Sequence, residues 1–310
     1  MSNLPMQLIV MVLLALIWGS SFILMKRGLE SFSPLQVGSM RVFFTFLFLL
    51  PFGFKQIKKI SKKNVVDLLI VGFLGNLFPA LLFAQAQVYV SSSLAGMLNS
   101  IVPIFSLLAG LLFFSIKIKP STAVGVAIGF VGAAGLIYFG AGKDSQTENA
   151  VYALLIVLAT IFYALSLNQI KYKLSSLRGP AITVIAFMIT GPVAAVFLAV
   201  SDFGPALASP GFNENLIYVI LLALFSSTIA VPLFYALVDH ANPIFASSVT
   251  YIIPIVAIGW GMADGETITV MQGVLMAVIL AGIYLIGKKD KKTAEAVPVS
   301  VPVPEEVAQN

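Results

Sequence analysis

The sequence contains the same pattern of five hydrophobic segments twice, and this repetition restricts the possible folds more than any other feature. The run from Leu94 to Pro103 returns in weaker form from Phe245 to Pro254, at an offset of 151 residues. At the same offset, Phe83 aligns with Phe234. A repeat of this length predicts that each half is one structural unit. Because each unit has an odd number of segments, two copies in a bilayer must lie upside down relative to each other, with a site expected between them at the midplane.

Hydrophobicity places the chain in a membrane. Apolar residues make up 59% of the 310 positions, and charged residues only 10%. The apolar stretches are about 20 residues long, which is the length of α-helix that crosses a bilayer. We therefore predict an all-α membrane protein with ten transmembrane helices, near residues 6–25, 34–54, 65–89, 92–115, 121–140, 150–172, 181–200, 214–238, 243–263 and 269–287.

The predicted organisation is two inverted five-helix repeats with no soluble domain. The first repeat is expected at residues 1–140 and the second at 150–287, joined by a loop at 141–149. The segment 288–310 begins with a basic cluster and continues with prolines and acidic residues. Such a composition cannot form a packed core, so we predict a disordered cytoplasmic tail.

The distribution of positive charge predicts the orientation of the helices. With the N-terminus inside, fourteen of the eighteen Lys and Arg residues fall in cytoplasmic segments. The positive-inside rule therefore predicts that both termini are cytoplasmic, in a multi-pass protein of the inner (plasma) membrane. Since the net charge of +5 is explained in this way, we predict no nucleic-acid partner. The lipid bilayer and a small-molecule substrate are the expected partners, and no cofactor or metal site is predicted.

Polar and aromatic residues at mid-depth predict a central cavity. In hydrocarbon a polar side chain costs free energy unless it faces a cavity or another helix. The first, third, fourth, sixth, eighth and ninth helices carry such residues, whereas the fifth and tenth have almost none. For a single Ser or Thr, a bond to its own helix backbone is an open alternative, and for Trp18, Asn76 and Asn99 structural and cavity roles are both open. The candidate substrate-binding residues are Trp18, Ser21, Asn76, Phe83, Asn99, Tyr163, Ser226, Thr250 and Tyr251.

Charged residues and prolines supply candidates for gating. Pro103 and Pro254 each remove a backbone donor from their helix, so they are either hinges for alternating access or static kinks. None of the acidic residues lies securely at mid-membrane, which argues against proton antiport through a buried acid. Arg41, about 10 Å deep at 1.5 Å per residue, would pair, extend outward or contact substrate. The charged cavity or gate candidates are Lys26, Arg41, Asp239, His240 and Glu266.

Small residues at helical spacing mark the fifth and tenth helices. They are Gly125, Gly129 and Gly132 on the fifth helix, and Gly273, Ala277 and Ala281 on the tenth. Small residues four positions apart allow close approach of helices in a membrane. We favour packing within one chain, and a homodimer through these two helices is the alternative.

Four groups of motifs stand in order along the chain: Ile17-Trp18-Gly19-Ser20-Ser21-Phe22 with Lys26; Pro34 with Arg41; Ala84-Gln85-Ala86 through Ser93-Leu94-Ala95 to Pro103; and Tyr235 through Pro254 to Gly265-Glu266. Together they resemble the drug/metabolite transporter superfamily, EamA branch, over about residues 6–287. The resemblance implies ten helices, two inverted EamA repeats, cytoplasmic termini and export of small metabolites such as amino acids, nucleobases or drugs. One departure matters: the Gly265-Glu266 pair that closes the ninth helix has no counterpart in the first repeat. Ser115 occupies the aligned place there.

These features favour a transporter over an enzyme. A membrane enzyme would need a nucleophile with its base, or a set of metal ligands, and the chain has one histidine and no cysteine. We predict a secondary transporter that exports small amphipathic metabolites, amino acids first, by alternating access through the central cavity. The alternatives are an exchanger of phosphorylated metabolites and an exporter of nucleobases or drugs. The coupling ion and the transport direction do not follow from the sequence.

Overall fold

Ten helical segments fill the part of the chain that the computed structural model describes, which is residues 4–57, 60–114, 120–140, 146–240 and 249–287. The first five are α1 (Leu4–Gly28), α2 (Pro34–Ile57), α3 (Val65–Ala86), α4 (Ser92–Phe114) and α5 (Pro120–Gly140). The second five are α6 (Gln146–Lys173), α7 (Gly179–Ala199), α8 (Phe212–Leu221, Leu222–Ile229 and Ala230–His240), α9 (Val249–Ala263) and α10 (Val270–Gly287). Short helices at Lys62–Asn64 and Gly204–Leu207 lie in two connections.

Length and composition make the chain a multi-pass membrane protein. Among the described residues, α1 to α8 are each long and apolar enough to cross a bilayer. The described parts of α9 and α10 are apolar but shorter. Large apolar side chains such as Leu112, Val200 and Val270 are more than 70% exposed, as expected of surfaces that face lipid rather than water. The count of ten membrane spans stays a prediction.

Several helix boundaries differ from those predicted. The first helix continues to Gly28, because its apolar stretch ends in basic residues that suit the negative end of the helix dipole. Lys26 and Arg27 therefore lie in its last turn. The predicted loop 141–149 is partly helical, since α6 begins at Gln146. Residues 141–145, the segment 241–248 and the tail 288–310 lie outside the described residues.

The packing partners of the helices follow the same repetition as the sequence. α1 packs along α9, and its counterpart α6 packs along α4. α2 packs along α7, and α5 along α10, so that each of these pairs joins equivalent helices of the two halves. Exchanging each helix with the one five places away therefore reproduces these main pairings. Two related halves face each other across the molecule.

Small residues bring α5 and α10 into direct backbone contact. A Cβ atom on Gly125 would lie 2.7 Å from the carbonyl oxygen of Gly282, which is too close for any side chain. The glycine face predicted on α5 is thus used within the chain. Packing within the chain through the small residues predicted on α10 was wrong: Ala277 and Ala281 are exposed, and nothing lies within 4 Å of a Cβ placed on Gly273. A homodimer through these helices stays a prediction.

Irregular turns interrupt the helices near their centres. α3 contains a π-helical stretch at Phe73–Leu77, and α8 contains one at Leu222–Ile229. Shifted by the repeat offset of 151 residues, the first stretch falls inside the second. α4 is broken by a turn at residues 100–101, directly before Pro103, while α9 continues through Pro254. π-helical turns in membrane proteins and enzymes often occur at functional sites, so these positions direct attention to the centre of the molecule.

Candidate functional site

A cavity of about 260 Å³ lies at the centre of the molecule between the two halves. Eight helices, α1 to α4 and α6 to α9, contribute residues to its walls. Within the described residues, α5 and α10 contribute none. Apart from Arg41, sequence reasoning missed the contribution of α2 and α7. Their other lining residues, except Thr183, are apolar and look like ordinary core positions.

Most of the predicted substrate-binding residues meet at this cavity. Eight of the nine are on its walls, namely Trp18, Ser21, Asn76, Phe83, Asn99, Tyr163, Ser226 and Thr250. Tyr251 is not among the lining residues and instead packs against the main hydrophobic core. Among the charged candidates whose side chains are described, only Arg41 is on the cavity wall. That these residues bind substrate stays a prediction.

Aromatic rings form two equivalent pairs on the cavity walls. Trp18 on α1 lies against Phe234 on α8, with ring centroids 5.3 Å apart. Tyr163 on α6 lies against Phe83 on α3, with centroids 6.1 Å apart. The helices of one pair are the repeat counterparts of the helices of the other. Each pair contains one ring from each half. The cavity therefore presents two equivalent aromatic surfaces, which suit the apolar part of a ligand.

The π-helical stretches place polar groups between these aromatic pairs. The indole nitrogen of Trp18 donates a hydrogen bond of 3.0 Å to the backbone oxygen of Ser226 in the α8 stretch. In the α3 stretch, the amide nitrogen of Asn76 donates to the backbone oxygen of Val71, five residues earlier. The hydroxyl of Ser226 is buried and has no hydrogen-bond partner in the described part of the chain. Hydrophobic periodicity gives no signal for a π-helical turn, so the sequence did not reveal this arrangement.

Charged groups outside the cavity close one end of the bundle. At the end of α1, the Nζ atom of Lys26 lies 2.7 Å from Asp264 and 2.8 Å from Glu266, both of which follow α9. Arg27 also pairs with Asp264. The charge distribution predicts that this end faces the outside, and we call it the outer end. Asp264 was not among the predicted site residues, because its role depends on a contact more than 200 positions away in the sequence.

Glu266 joins this network to α4. Its carboxylate accepts hydrogen bonds from the backbone nitrogens of Ser92 and Ser93, at 2.9 and 3.0 Å, and from both hydroxyl groups, at 2.9 and 2.6 Å. A carboxylate at the first turn of a helix satisfies free N–H groups and the positive end of the helix dipole. We call the six residues that take part the outer lock: Lys26, Arg27, Ser92, Ser93, Asp264 and Glu266.

The backbone after α9 explains how Glu266 reaches that position. Gly265 has a φ of +83°, a left-handed conformation that costs a glycine little. The backbone nitrogen of Glu266 bonds to the oxygen of Gly261, and that of Gly265 bonds to Met262. These two bonds form a Schellman motif, which ends the helix and turns the chain back. The Gly-Glu pair was the sequence signal for this feature.

Electrostatics keeps Glu266 ionised. Burial alone would raise the pKa of this carboxyl group, but hydrogen bonds from Lys26, Ser93 and Ser92 outweigh it and lower the pKa to about 2. A carboxylate held in this way does not exchange protons near neutral pH. Asp239 and His240 end α8, far along the chain from the lock, and their side chains lie outside the described residues. Ser115 likewise lies outside them.

Comparison with known proteins gives the chain its family. Residues 5–138 and 150–288 each match the EamA-like transporter family. The chain belongs to the EamA-like transporter family. The two matches correspond to the two halves seen in the helix packing, so the repeated sequence, the repeated contacts and the family architecture agree.

Similar proteins within this family carry transporter names. The chain is 28% identical to the uncharacterized inner membrane transporter YedA of Escherichia coli K12, over 94% of this chain and 93% of that protein. It is 25% identical to an uncharacterized transporter of Archaeoglobus fulgidus, over 91% and 98%. A solved crystal structure has the same fold, with a TM-score of 0.56 at 12% identity, over 91% of this chain and 96% of that one. The chain is therefore a membrane transporter by family.

Proposed function

We propose that this EamA-family member is a secondary transporter that exports small amphipathic metabolites, amino acids first, by alternating access through the central cavity. The observation that carries the proposal is the composition of the cavity walls. Aromatic and aliphatic side chains from both halves surround a small number of hydrogen-bonding groups and one cation, Arg41. Such walls suit a molecule with one hydrophobic part and one compact polar part.

The size and charge of the cavity argue against the alternative substrates. Its volume of about 260 Å³ is slightly below the range of roughly 300–1,000 Å³ typical of pockets for drug-sized ligands. A phosphorylated metabolite carries two charges and would require several Lys or Arg residues. Lys26, the other cation considered from the sequence, is bound in the outer lock. Export of nucleobases or small drugs stays the second candidate, since neutral hydrogen-bonding groups suit them as well.

The outer lock supports alternating access as the mechanism. Cavity-lining residues reach close to the inner ends of two helices: Ile170 lies three residues before the end of α6, and Ile182 three residues after the start of α7. At the opposite end, the lock joins α1, α4 and α9. We infer that breaking the lock opens the cavity outward, while Pro103 and Pro254 serve as hinges within α4 and α9. The inverted relation of the halves provides the second, outward-facing arrangement.

Location and energy coupling follow from the same features. We propose an inner-membrane location with both termini in the cytoplasm, supported by the positive-inside distribution of charge and by the printed name of YedA. The described cavity walls include no acidic residue, and Glu266 has a pKa of about 2. These two observations favour facilitated diffusion or exchange over proton antiport. Asp239 and His240 are the groups to investigate if flux does follow a proton gradient.

Counterflow in proteoliposomes tests this function. Purified protein is reconstituted with a panel of labelled amino acids, with and without an imposed pH gradient. We expect counterflow of neutral, hydrophobic amino acids that does not depend on the gradient. Replacing Trp18, Asn76 or Asn99 with Ala should reduce flux about tenfold or more, since each loses a contact worth about 1–2 kcal/mol.

A matched control separates a loss of substrate binding from a failure of the protein to insert into the membrane. Leu112→Ala changes a side chain that is 73% exposed on the outer surface of the bundle, so its flux should equal that of the unmodified protein. Unchanged flux in all three cavity variants would rule out the cavity as the transport site. Absence of counterflow for every amino acid would instead favour nucleobases or drugs.

A further inference from the structure

Arg41 is the only charged residue on the described walls of the cavity. It lies two turns into α2, and its Nε atom is 3.4 Å from the hydroxyl oxygen of Ser227 on α8. Within the described residues, this long hydrogen bond is the only one that its guanidinium group makes, and no ion pair involves it. A guanidinium group has five N–H donors, so most of its hydrogen-bonding capacity is directed at the cavity rather than at protein.

No acidic side chain among the described residues forms an ion pair with Arg41. The described cavity walls also contain no acidic residue. Asp264 and Glu266 are bound to Lys26 and Arg27 at the outer end. On α8, the helix that Arg41 contacts, the nearest acid toward the inner end is Asp239, twelve residues after Ser227, or about 18 Å along the helix at 1.5 Å per residue. An unneutralised charge inside a membrane is costly and usually marks a functional site.

We propose that Arg41 binds the anionic group of the transported molecule, and that this group is a carboxylate. The planar guanidinium group matches a carboxylate in geometry and binds it through two parallel hydrogen bonds. The hydroxyl of Ser226, which lacks a partner in the described chain, is next to Ser227 on the same π-helical stretch and can supply a further donor. A single guanidinium neutralises one negative charge, which selects monocarboxylates over dicarboxylates and phosphate esters.

An ammonium group is not required by this arrangement. The described cavity walls offer it no carboxylate partner, only aromatic faces and neutral oxygens. The substrate class is therefore amphipathic carboxylates, of which neutral amino acids are one kind and simple aryl or alkyl carboxylates another. This inference rests on the proposed function, because it assigns a chemical class to the same cavity.

Three ligands that share a phenyl ring separate the contributions of the two charged groups. Phenylalanine carries both the carboxylate and the ammonium group, 3-phenylpropionate carries only the carboxylate, and phenylalaninamide only the ammonium group. Binding to the purified full-length protein is measured by titration calorimetry. We expect phenylalanine and 3-phenylpropionate to bind with similar affinity, and phenylalaninamide to bind at least tenfold more weakly.

Substitution of the arginine tests the same point from the side of the protein. Arg41→Gln should weaken binding of both carboxylates by about ten- to a hundredfold. Arg41→Lys should lose less, since it keeps the charge but not the planar pair of donors. Arg178→Gln is the matched control: Arg178 is exposed at the start of α7, and its side chain makes no capping hydrogen bond. The ligand series on the unmodified protein remains decisive if Arg41→Gln does not fold.

The outcomes distinguish this inference from the proposed function. If phenylalaninamide binds as tightly as phenylalanine, or if Arg41→Gln retains both affinities, the carboxylate site is wrong while transport of amino acids stands. Binding of phenylalanine without binding of 3-phenylpropionate would overturn the inference that the ammonium group is dispensable. Failure of both carboxylates to bind would overturn the site, and the proposed function would fall with it only if counterflow of every amino acid also failed.

Discussion

Glu266 accepts five hydrogen bonds from groups on two other helices. One comes from Lys26 on α1, and four come from the backbone and hydroxyl groups of Ser92 and Ser93 on α4. Hydrogen bonds to a charged group contribute about 1.5–3 kcal/mol each when the alternative is a buried, unsatisfied partner. The energetic importance of this single residue therefore exceeds that of an ordinary ion pair on a surface.

Replacing Glu266 with Gln should lower the free energy of unfolding by about 2 kcal/mol, because the neutral amide cannot pair with Lys26 and presents only one acceptor oxygen. Thermal or denaturant unfolding in detergent measures the change. Glu30→Gln is the control, since Glu30 forms an exposed ion pair with Arg27 and its loss should cost less than about 0.5 kcal/mol. Equal losses in the two variants would contradict the importance given to the lock.

The effect of Glu266→Gln on the free energy of unfolding should depend on pH in a defined way. The pKa of Glu266 is lowered from 4.5 to about 2 in the folded protein. A group with a lowered pKa stabilises the fold above its unfolded pKa and loses that contribution as the pH falls through its folded pKa. The stability difference between the unmodified protein and Glu266→Gln should thus be constant from about pH 5 to 8 and shrink as the pH falls from 4.5 toward 2. A difference that changes between pH 5 and 8 would show that Glu266 titrates there.

At the scale of elements, Gly261 allows α9 to lie close to α4 at the outer lock. A Cβ atom on Gly261 would collide with the hydroxyl of Ser93 and the carboxylate of Glu266. Two residues earlier on the same helix, Gly259 is exposed, and nothing lies within 4 Å of the corresponding position. The helix thus offers a matched pair of glycines, one at the lock and one away from it.

Gly261→Ala should destabilise the protein by about 1–3 kcal/mol, because the added methyl group forces the lock apart. Gly259→Ala should be neutral or slightly stabilising, since alanine favours a helix by about 1 kcal/mol over glycine. Unfolding measurements on the two variants give the comparison directly. A similar destabilisation in both would mean that helix propensity or lipid contact, and not the lock, determines the effect.

The elements also show what the sequence could and could not predict. Runs of apolar residues predicted α1 to α8 well, because hydrophobicity alone determines which segments enter a membrane. The positions of polar residues around each helix predicted one shared cavity, and the cavity is lined by Trp18, Asn76, Asn99 and Tyr163. This reasoning missed most of the contribution of α7, where Phe187 and its neighbours have no polar signal, and it placed Tyr251 incorrectly. The π-helical stretches shift the phase of α3 and α8 by part of a turn, which no fixed period of 3.6 residues can anticipate.

At the scale of the whole molecule, the helices pack in a repeated pattern, but the outer lock has no equivalent in the sequence of the first half. The main helix pairings of one half are reproduced by the other. The acidic end of the lock has no sequence counterpart in the first half, where Ser115 occupies the place aligned with Glu266. The alignment of the repeats showed this difference, but the partners of Glu266 could not be read from it, since Lys26 is 240 positions away. Among the described residues the ionic closure is present at the outer end only. Such an asymmetry gives the two access states different energies.

Accessibility of the cavity from each side tests alternating access most directly. The chain contains no cysteine, so Ser21→Cys introduces a single thiol on the cavity wall. Its labelling by a membrane-impermeant thiol reagent is measured in intact cells and in inside-out vesicles. Ala208→Cys, exposed in the connection between α7 and α8 at the outer end, serves as the control and should label from outside in every background.

We predict that position 21 reacts from the inner side and is protected from the outside while the lock is intact. Adding Glu266→Gln should increase its outside reactivity about tenfold or more, since a loss of about 1.4 kcal/mol shifts an equilibrium by that factor. Equal reactivity from both sides with an intact lock, or no response to Glu266→Gln, would contradict a central cavity that is closed by the outer lock.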